Sequence, residues 1–365
     1  MKKSQSAALV EAFALAYHAQ RQFAPVCEDA AARRLFTDEE FAQLGSAVTV
    51  LLQTLEPSFS GTPEAALLRV VDRYLVPLPA ARDAFLMRAL KNAARIGAAQ
   101  ALFLGAGYST IPLRQTEPMR RMCFYELESP SLLRDKRERL RRADIPEPEN
   151  TRYQGAELRA PDWARRFLRE SGFDPRRRTF CALPGLAASC PRKAFWQRLM
   201  QLRALLAPGS TVVLDYPAGA GTYTAEEMEK TLPLLGFRVC EHLAPADITA
   251  QFFAAYNAMH PGAPMAAPAD VYFCVAVRNG ALEQPAMILG DSAFSLRACA
   301  LPSHPQCGRY PHRYWGVPNR SIGTRQPLQC QWIGSSWYLP PGEGGRGFPP
   351  PPVELIRPGS HRPDL

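Results

Sequence analysis

The sequence predicts an α/β protein built on a doubly wound, mostly parallel sheet of seven strands, with an N-terminal helical cap and a disordered C-terminal tail. Three observations support this fold class. Residues 1–97 have helical periodicity, residues 98–280 alternate strand-like and helical segments, and residues 281–365 hold 14 of the 35 prolines. We therefore expect three regions with these boundaries: a cap region, a sheet domain and a Pro-rich tail.

The opening segment of the cap is predicted to be an amphipathic helix, because Leu9, Phe13 and Tyr17 recur at helical spacing. Glu11 interrupts the apolar stretch, which argues against a signal peptide. No run approaches the roughly 18 apolar residues that a membrane span needs. We therefore expect a cytoplasmic protein without a membrane partner.

Start signals mark the later helices of the cap. Thr37 and Glu40 have the spacing of a capping box ahead of a long apolar-periodic segment. Thr62 followed by Pro63 marks a second start, since proline suits the first helical position. A further helix is predicted over residues 81–96.

Beyond Gln100, seven apolar segments are predicted to be strands: ALFLG, MCFYELE, RYQGAEL, TFCALPG, STVVLDY, FRVCEHL and DVYFCVAV. Helical segments lie between them: PSLLRDKRERLRRA, PDWARRFLRESG, RKAFWQRLMQLRALL, TAEEMEKTLPLLG and LAPADITAQFFAAYNAMH. Strands that alternate with helices predict a parallel sheet, because parallel neighbours need a crossover connection.

Composition limits the expected partners. The net charge of +9 permits weak attraction to acidic partners, but no long basic run is interleaved with aromatic residues. The densest run, RDKRERLRR, is predicted to form a solvated helix face, so a nucleic-acid partner is not expected. The nine cysteines lack Cys-x-x-Cys or Cys/His spacing. We therefore expect reduced thiols and no metal.

A glycine turn follows the first predicted strand in ALFLGAGYSTIPLR. Gly105, Ala106 and Gly107 allow either the close approach of a ligand or a tight strand–helix turn. The third glycine of a dinucleotide fingerprint is absent, which argues against a nicotinamide or flavin cofactor.

The second and third strands favour a ligand. Glu126 and Glu128 end the second strand, and a carboxylate there can accept two hydrogen bonds from a ribose diol. Because both point the same way, one of them can instead be solvent-facing. Glu157 and Leu158 follow the third strand, where they can frame an adenine ring. A glycine turn, a ribose carboxylate and an adenine edge without a pyrophosphate motif fit S-adenosylmethionine.

The same motifs resemble those of the leucine carboxyl methyltransferase family, including its bacterial branch of S-adenosyl-L-methionine-dependent methyltransferases. QALFLGAGYSTIPLR is similar to Q-V-V-x-L-G-A-G-x-D-T-R-x-x-R, and FYELESPSLLRDKRERL to x-x-E-V-D-x-P-x-x-x-x-x-K-x-x-x-L. YQGAELRAPDWARRFLRESGFDP is similar to a D-L-R-x-x-x-W…L…G-F-D-P block, and SQSAALVEAFALAYHA to an opening S-x-T-A helix. The resemblance covers about residues 4 to 280.

The resemblance implies a class I, Rossmann-like methyltransferase domain over residues 98–280 and a role for each matching position. Gly105, Ala106 and Gly107 would line the methionine part of the donor, and Glu128 would hold its ribose. Glu157 and Leu158 would flank the adenine. Arg82, 18 residues before Gln100, would bind the donor's carboxylate with two parallel hydrogen bonds. A helix-surface arginine is the alternative for Arg82.

Three positions depart from the family pattern: Ala14 replaces an arginine, Ser109 an aspartate and Pro184 a glutamate. They leave two functions open. The leading one is an O-methyltransferase that acts on a carboxyl group or a small-molecule acceptor. The alternative is a catalytically degenerate protein that binds the donor or serves as an interaction module.

No catalytic residue is identified from the sequence. A carboxylate acceptor is already ionised at pH 7 and needs no general base, whereas a hydroxyl acceptor usually does. The candidate bases, His18, His242 and His260, lie in no recognisable motif. Four aromatic residues are either core or the lining of an acceptor pocket under a helical lid: Tyr17, Phe252, Phe253 and Tyr256.

Overall fold

The computed structural model describes residues 3–21, 25–219, 221–280, 331–333 and 336–338. Seven of its strands form one sheet: β1 (Gln100–Leu104), β2 (Cys123–Glu128), β3 (Thr151–Gly155), β4 (Thr179–Leu183), β5 (Thr211–Pro217), β6 (Phe237–Leu243) and β7 (Val271–Arg278). Each corresponds to a strand predicted from the sequence.

The strand order is β3-β2-β1-β4-β5-β7-β6. The first five strands are mutually parallel, whereas β7 runs antiparallel to both β5 and β6. The chain winds outward from β1 in one direction and then from β4 in the other, so the order reverses between these two strands. This topology confirms the predicted doubly wound, mostly parallel sheet.

Twelve α-helices in the described part of the chain surround the sheet and form the cap: α1 (Lys3–Arg21), α2 (Asp38–Leu55), α3 (Pro63–Val70), α4 (Pro77–Arg95), α5 (Glu117–Arg120), α6 (Pro130–Arg142), α7 (Trp163–Ser171), α8 (Leu186–Ser189), α9 (Arg192–Leu205), α10 (Ala225–Leu234), α11 (Pro245–Ile248) and α12 (Ala254–Met259). Two π-helical turns continue helices, Val71–Leu75 after α3 and Thr249–Phe253 after α11.

The strand β1 shows why the sheet sequences read as nearly continuous apolar runs. All five of its residues are buried. Ala101 and Phe103 pack toward the core shared with the cap, whereas Leu102 and Leu104 pack toward the core formed with α7, α9 and α10. Helices on both faces require apolar residues at every position of a central parallel strand.

The predicted starts of α2 and α3 are confirmed. The Thr37 hydroxyl accepts a 3.1 Å hydrogen bond from the Glu40 N–H, and the Glu40 carboxylate accepts one of 3.0 Å from the Thr37 N–H. The Thr62 hydroxyl accepts from the N–H of Ala65 at 3.2 Å. These bonds satisfy donors that the first helical turn otherwise leaves unpaired.

The helix predicted over residues 81–96 begins four residues earlier, at Pro77. Pro77 and Pro79 lie in its first turn, where a backbone N–H has no intrahelical partner, so the prolines remove nothing that the helix needs. This earlier start brings the first turn of α4 beside the carboxyl edge of the sheet.

The sequence predicts a solvated face for the basic run of α6, and Arg134, Arg137 and Arg141 are exposed as predicted, but two other basic residues of the run are not. Lys136 and Arg139 are buried. The Lys136 ammonium donates 2.6 Å hydrogen bonds to the carboxylate of Glu126 and to the carbonyl of Ser109. Arg139 donates to the carbonyl of Leu35 at 3.1 Å. The basic run therefore attaches α6 to the sheet and to the cap.

The tail prediction lies largely outside the described residues. Within residues 281–365, the structure describes β8 (Gln331–Ile333) and β9 (Ser336–Tyr338), which pair as an antiparallel ribbon. The region boundaries at residues 97 and 280 stay predictions. Among the described helices, none combines the length and the apolar character required to traverse a bilayer.

We predict that Lys136→Met destabilises the fold by about 3–5 kcal/mol, because it leaves the buried Glu126 carboxyl without its partner. Burial already raises the pKa of Glu126, and Lys136 opposes that rise. Urea unfolding would measure the change. Arg141→Met on the same helix is the control, since Arg141 is 75% exposed and pairs with Glu138 at the surface, where ion pairs contribute little to stability. Equal losses in both variants would contradict the assignment.

Candidate active site

A cavity of about 430 Å³ opens at the carboxyl ends of β1, β2 and β4. The strand order reverses there, which is where doubly wound sheets bind ligands, and the volume lies in the usual range for small-molecule sites. Every residue that the sequence assigned to donor binding lines this cavity: Arg82, Gly105, Ala106, Gly107, Glu128, Glu157 and Leu158. The structure therefore brings all seven together.

The glycine turn leaves room at the floor of the cavity. Gly105 has φ +74°, which favours glycine, and a Cβ added there would have no protein atom within 4 Å. Its N–H donates a 2.9 Å hydrogen bond to the carbonyl of Leu127. The backbone is thus held against β2, while no atom of the described residues fills the space above it.

Glu128 presents an oriented carboxylate to the cavity. One carboxylate oxygen accepts a 3.1 Å hydrogen bond from the Gly107 N–H, and the other accepts one of 2.6 Å from the Ser129 N–H. A carboxylate has about four acceptor positions in total. Two backbone donors fix the group and leave acceptor capacity for the hydroxyls of a ligand.

Glu126 has a different function from Glu128. It is 1% exposed, so the alternative that it faces solvent is wrong. Its partner Lys136 also binds the carbonyl of Ser109, two residues after the glycine turn. This buried pair therefore fastens the glycine turn to β2 from beneath the cavity.

Arg198 is a lining residue that sequence reasoning missed. It lies on α9, is 6% exposed, and donates from Nε to the carbonyl of Leu158 at 3.1 Å. Its Nη1 is buried and has no hydrogen-bond partner among the described residues. A buried guanidinium nitrogen without an acceptor is costly, and a ligand acceptor atom at this end of the cavity would satisfy it. No motif in RKAFWQRLMQ marked this arginine.

Arg82 is largely occupied by carboxylates of the chain. Its Nε and Nη2 donate to the two carboxylate oxygens of Asp215 at 3.1 and 2.9 Å, and its Nη1 lies 3.5 Å from Glu11. Burial lowers the pKa of Arg82, but the two carboxylates raise it more, so the guanidinium stays charged. Of its nitrogens, Nη1 has the longest contact and is the one left for a ligand.

The three departures from the family pattern lie in different surroundings. Ala14 is fully buried in the cap core and does not line the cavity. Ser109 lines the cavity, and its hydroxyl accepts from the Ile111 N–H at 3.3 Å. Pro184 also lines it, next to Gly185, whose N–H donates a 2.8 Å hydrogen bond to Asp215. Asp215, at the end of β5, thus supplies a carboxylate beside the position where Pro184 lacks one.

The candidate histidine bases lie elsewhere. His18 is fully buried, and its Nε2 accepts from the N–H of Val26 at 3.1 Å. His242 bonds to Tyr216 at 2.5 Å and to Glu229 at 2.9 Å, and His260 stacks on Tyr256 with ring centroids 4.3 Å apart. None of the three lines the cavity.

The aromatic residues proposed for an acceptor pocket belong to the core. Tyr17, Phe253 and Tyr256 are buried in the cluster shared by the cap and the sheet, and Phe252 packs against that cluster. None of the four lines the cavity over Gly105 or the second cavity described below. The core alternative is therefore confirmed, and the alternative of an acceptor pocket lined by these four residues is wrong.

The family model of leucine carboxyl methyltransferase matches residues 8–201, which is more than half of the 365 residues. The chain belongs to the leucine carboxyl methyltransferase family. Membership confirms the resemblance noted in the sequence and places the chain among the S-adenosyl-L-methionine-dependent methyltransferases.

One relative of this family member is the Bacillus subtilis (strain 168) protein named "Putative S-adenosyl-L-methionine-dependent methyltransferase YktD", 26% identical over 289 residues, or 69% of this chain and 93% of that protein. Similar solved structures include a "putative methyltransferase" from Thermobifida fusca YX, with TM-score 0.44 and 16% identity over 68% of this chain and 92% of that one. Another is 1,6-didemethyltoxoflavin-N1-methyltransferase of Burkholderia thailandensis with bound S-adenosylhomocysteine, with TM-score 0.34 and 15% identity over 61% and 92%.

We predict that Gly105→Ala and Gly172→Ala each destabilise the fold by about 1–2 kcal/mol, because both positions have φ +74° and no atom within 4 Å of the added Cβ. Thermal unfolding would measure both losses. Gly172 follows α7 and lies outside the cavity, so the pair separates backbone strain from an effect on the site. A loss above about 3 kcal/mol at Gly105 alone would show that the space above it is filled by protein.

Proposed function

We propose that this methyltransferase binds S-adenosyl-L-methionine in the cavity over Gly105 and transfers its methyl group to an oxygen of a small-molecule acceptor. The observation that supports this most strongly is the Glu128 carboxylate, oriented by two backbone N–H groups at the cavity wall. A carboxylate at the end of the second strand of such a sheet is suited to bind a ribose diol.

The residues at the cavity fit the donor part by part. The open space above Gly105, together with Gly107 beside it, would receive the methionine part, and Glu128 would accept from the ribose hydroxyls. Glu157 and Leu158 would flank the adenine, and the unpartnered Nη1 of Arg198 would donate to a ring nitrogen. Arg82 would reach the donor's carboxylate with Nη1 alone, since Asp215 holds its other edge.

The main task of the protein is alignment. When bound, the donor supplies an electrophilic methyl group on a sulfonium. Fixing an acceptor near attack distance contributes about 7–11 kcal/mol of barrier reduction in well-oriented reactions. Ala8, Glu11 and Leu15 of α1 line the cavity on the side opposite the sheet, and in this proposal the cap of residues 1–97 excludes water as a lid.

The second candidate function is a catalytically degenerate protein that binds the donor or acts as an interaction module. Ser109 and Pro184 leave the lining without two family carboxylates, and Asp215 with Glu11 occupies Arg82. Calorimetry with S-adenosyl-L-methionine, followed by an assay for methyl transfer, distinguishes the two candidate functions. Binding followed by methyl transfer supports the enzyme, binding without transfer supports the degenerate protein, and no heat at millimolar donor contradicts donor binding itself.

We predict that Glu128→Ala weakens S-adenosyl-L-methionine binding by about 1.5–3 kcal/mol, the usual value for hydrogen bonds to a charged group. Titration calorimetry would measure the dissociation constant. Glu226→Ala is the matched control, because the Glu226 side chain is 74% exposed and lies outside the cavity. Unchanged affinity in Glu128→Ala, with a native melting transition, would show that the ribose is held elsewhere.

A further inference from the structure

A second cavity of about 370 Å³ lies beside the donor cavity. The π-helical turn Val71–Leu75, the first turn of α4, the end of β5 and residues 264–271 supply most of its lining. Four residues line both cavities: Ala7, Glu11, Pro79 and Arg82. The two spaces are therefore adjacent, with Glu11 and Arg82 on the wall that they share, as a donor site and an acceptor site must be.

The charges of the second cavity disfavour an anionic ligand. Among the residues that the structure describes, four carboxylates line it, those of Glu11, Asp72, Asp215 and Asp270, against two arginines, Arg73 and Arg82. Both arginines already have carboxylate neighbours, since Arg73 lies 3.7 Å from Glu56 and Arg82 lies 2.9 Å from Asp215. A carboxylate acceptor would meet like charges without a free cation to offset them.

Apart from Tyr74, whose hydroxyl donates to Glu56, the other side chains of the lining are apolar. Leu75, Leu78, Pro217, Met265 and Val271 contribute side chains, together with small alanines of the segment 264–271. Such a wall favours a ligand that is mostly hydrocarbon, with few polar groups placed near the acidic side.

An amine acceptor and a hydroxyl acceptor would react differently beside the carboxylates of the second cavity. Nearby carboxylates raise the pKa of an amine, which holds the nitrogen protonated and without the lone pair that attacks a methyl group. A hydroxyl stays neutral and keeps its lone pairs, but it needs a group to receive its proton as the new bond forms.

Glu11 is placed to receive that proton. It lies on the wall between the cavities, and 37% of its side-chain surface remains accessible. Its carboxylate has one long contact, 3.5 Å from Oε2 to Nη1 of Arg82, and no other hydrogen bond within the described ranges. The partial burial of its carboxyl and the charge of Asp215 raise the pKa of Glu11, with Arg82 opposing them.

We infer that the second cavity binds a mostly apolar acceptor that bears a hydroxyl and no carboxylate, and that Glu11 is the general base that takes the hydroxyl proton. The inference rests on the proposed function. The acceptor oxygen forms its bond to the methyl carbon as the carbon–sulfur bond breaks. The sulfur keeps that electron pair and becomes neutral, and the hydroxyl proton passes to the Glu11 carboxylate.

The test uses the full chain saturated with S-adenosylhomocysteine and three matched probes: 4-propylphenol, 4-propylbenzoate and 4-propylbenzylamine. We expect calorimetry to show that the phenol and the amine bind at least about tenfold more tightly than the benzoate. With S-adenosyl-L-methionine in its place, we expect methyl transfer to the phenol and none to the amine. Equal or tighter binding of the benzoate, binding of none of the probes at millimolar concentration, or methylation of the amine alone would overturn the inference.

Glu11→Gln tests the base. We expect binding of the phenol within about twofold of the parent chain, tighter binding of the benzoate, and a kcat for the phenol lowered about 10²-fold or more. Glu226→Gln, which removes an exposed carboxylate on α10, should match the parent. An unchanged kcat in Glu11→Gln, or a bound phenol that the parent chain does not methylate, would overturn the assignment.

Binding of S-adenosylhomocysteine is measured first, so that failure of the proposed donor site can be distinguished from failure of the acceptor inference. If it does not bind the parent chain, the proposed donor site fails. If it binds but the probe series gives the opposite pattern, the donor site stands and the acceptor inference fails. The same measurement on Glu11→Gln shows whether that variant is folded.

Discussion

The buried pair between Arg82 and Asp215 is the contact on which the arrangement of the site depends. Its two parallel hydrogen bonds join α4 of the cap to β5 of the sheet across 133 residues of sequence. Glu11 on α1 and the backbone of Gly185 complete the cluster. Removing one member of such a pair leaves an uncompensated buried charge, so the cap, the sheet and the loop after β4 are held in one mutual position.

This cluster also explains how the site can tolerate Pro184. The family pattern has an acidic residue at this position, and here Asp215 brings a carboxylate to the neighbouring backbone from the next strand. The same carboxylate neutralises much of the charge of Arg82. Asp215 and Glu11 thus place two carboxylates beside the Arg82 guanidinium at the cavity wall.

The two glutamates at the end of β2 have different surroundings. Glu126 and Glu128 point to the same side of the sheet, yet Glu126 is sealed beneath the glycine turn with Lys136, whereas Glu128 reaches the cavity. One carboxylate fixes the backbone and the other is left to bind. Because Lys136 also binds the carbonyl of Ser109, the floor of the cavity is positioned before any ligand arrives, which lowers the cost of ordering it.

Local patterns predicted the fold well, because strand runs such as QALFL and the Thr37 capping box depend on neighbours in sequence. They also placed Gly105 and Glu128 at one edge of the sheet, since parallel strands end together. The pairing of Arg82 with Asp215 was not predictable, because nothing local relates residues so far apart. Glu11 was interpreted only as an interruption of an apolar run, Lys136 as part of a solvated helix face, and no motif marked Arg198. Their burial follows from tertiary packing alone.

A crystal structure of the full chain with S-adenosylhomocysteine tests the donor site directly. We expect the nucleoside above Gly105, with its ribose hydroxyls on the Glu128 carboxylate and its homocysteine end toward Arg82. A nucleoside bound elsewhere, or a cavity over Gly105 closed by the protein's own side chains, would contradict it.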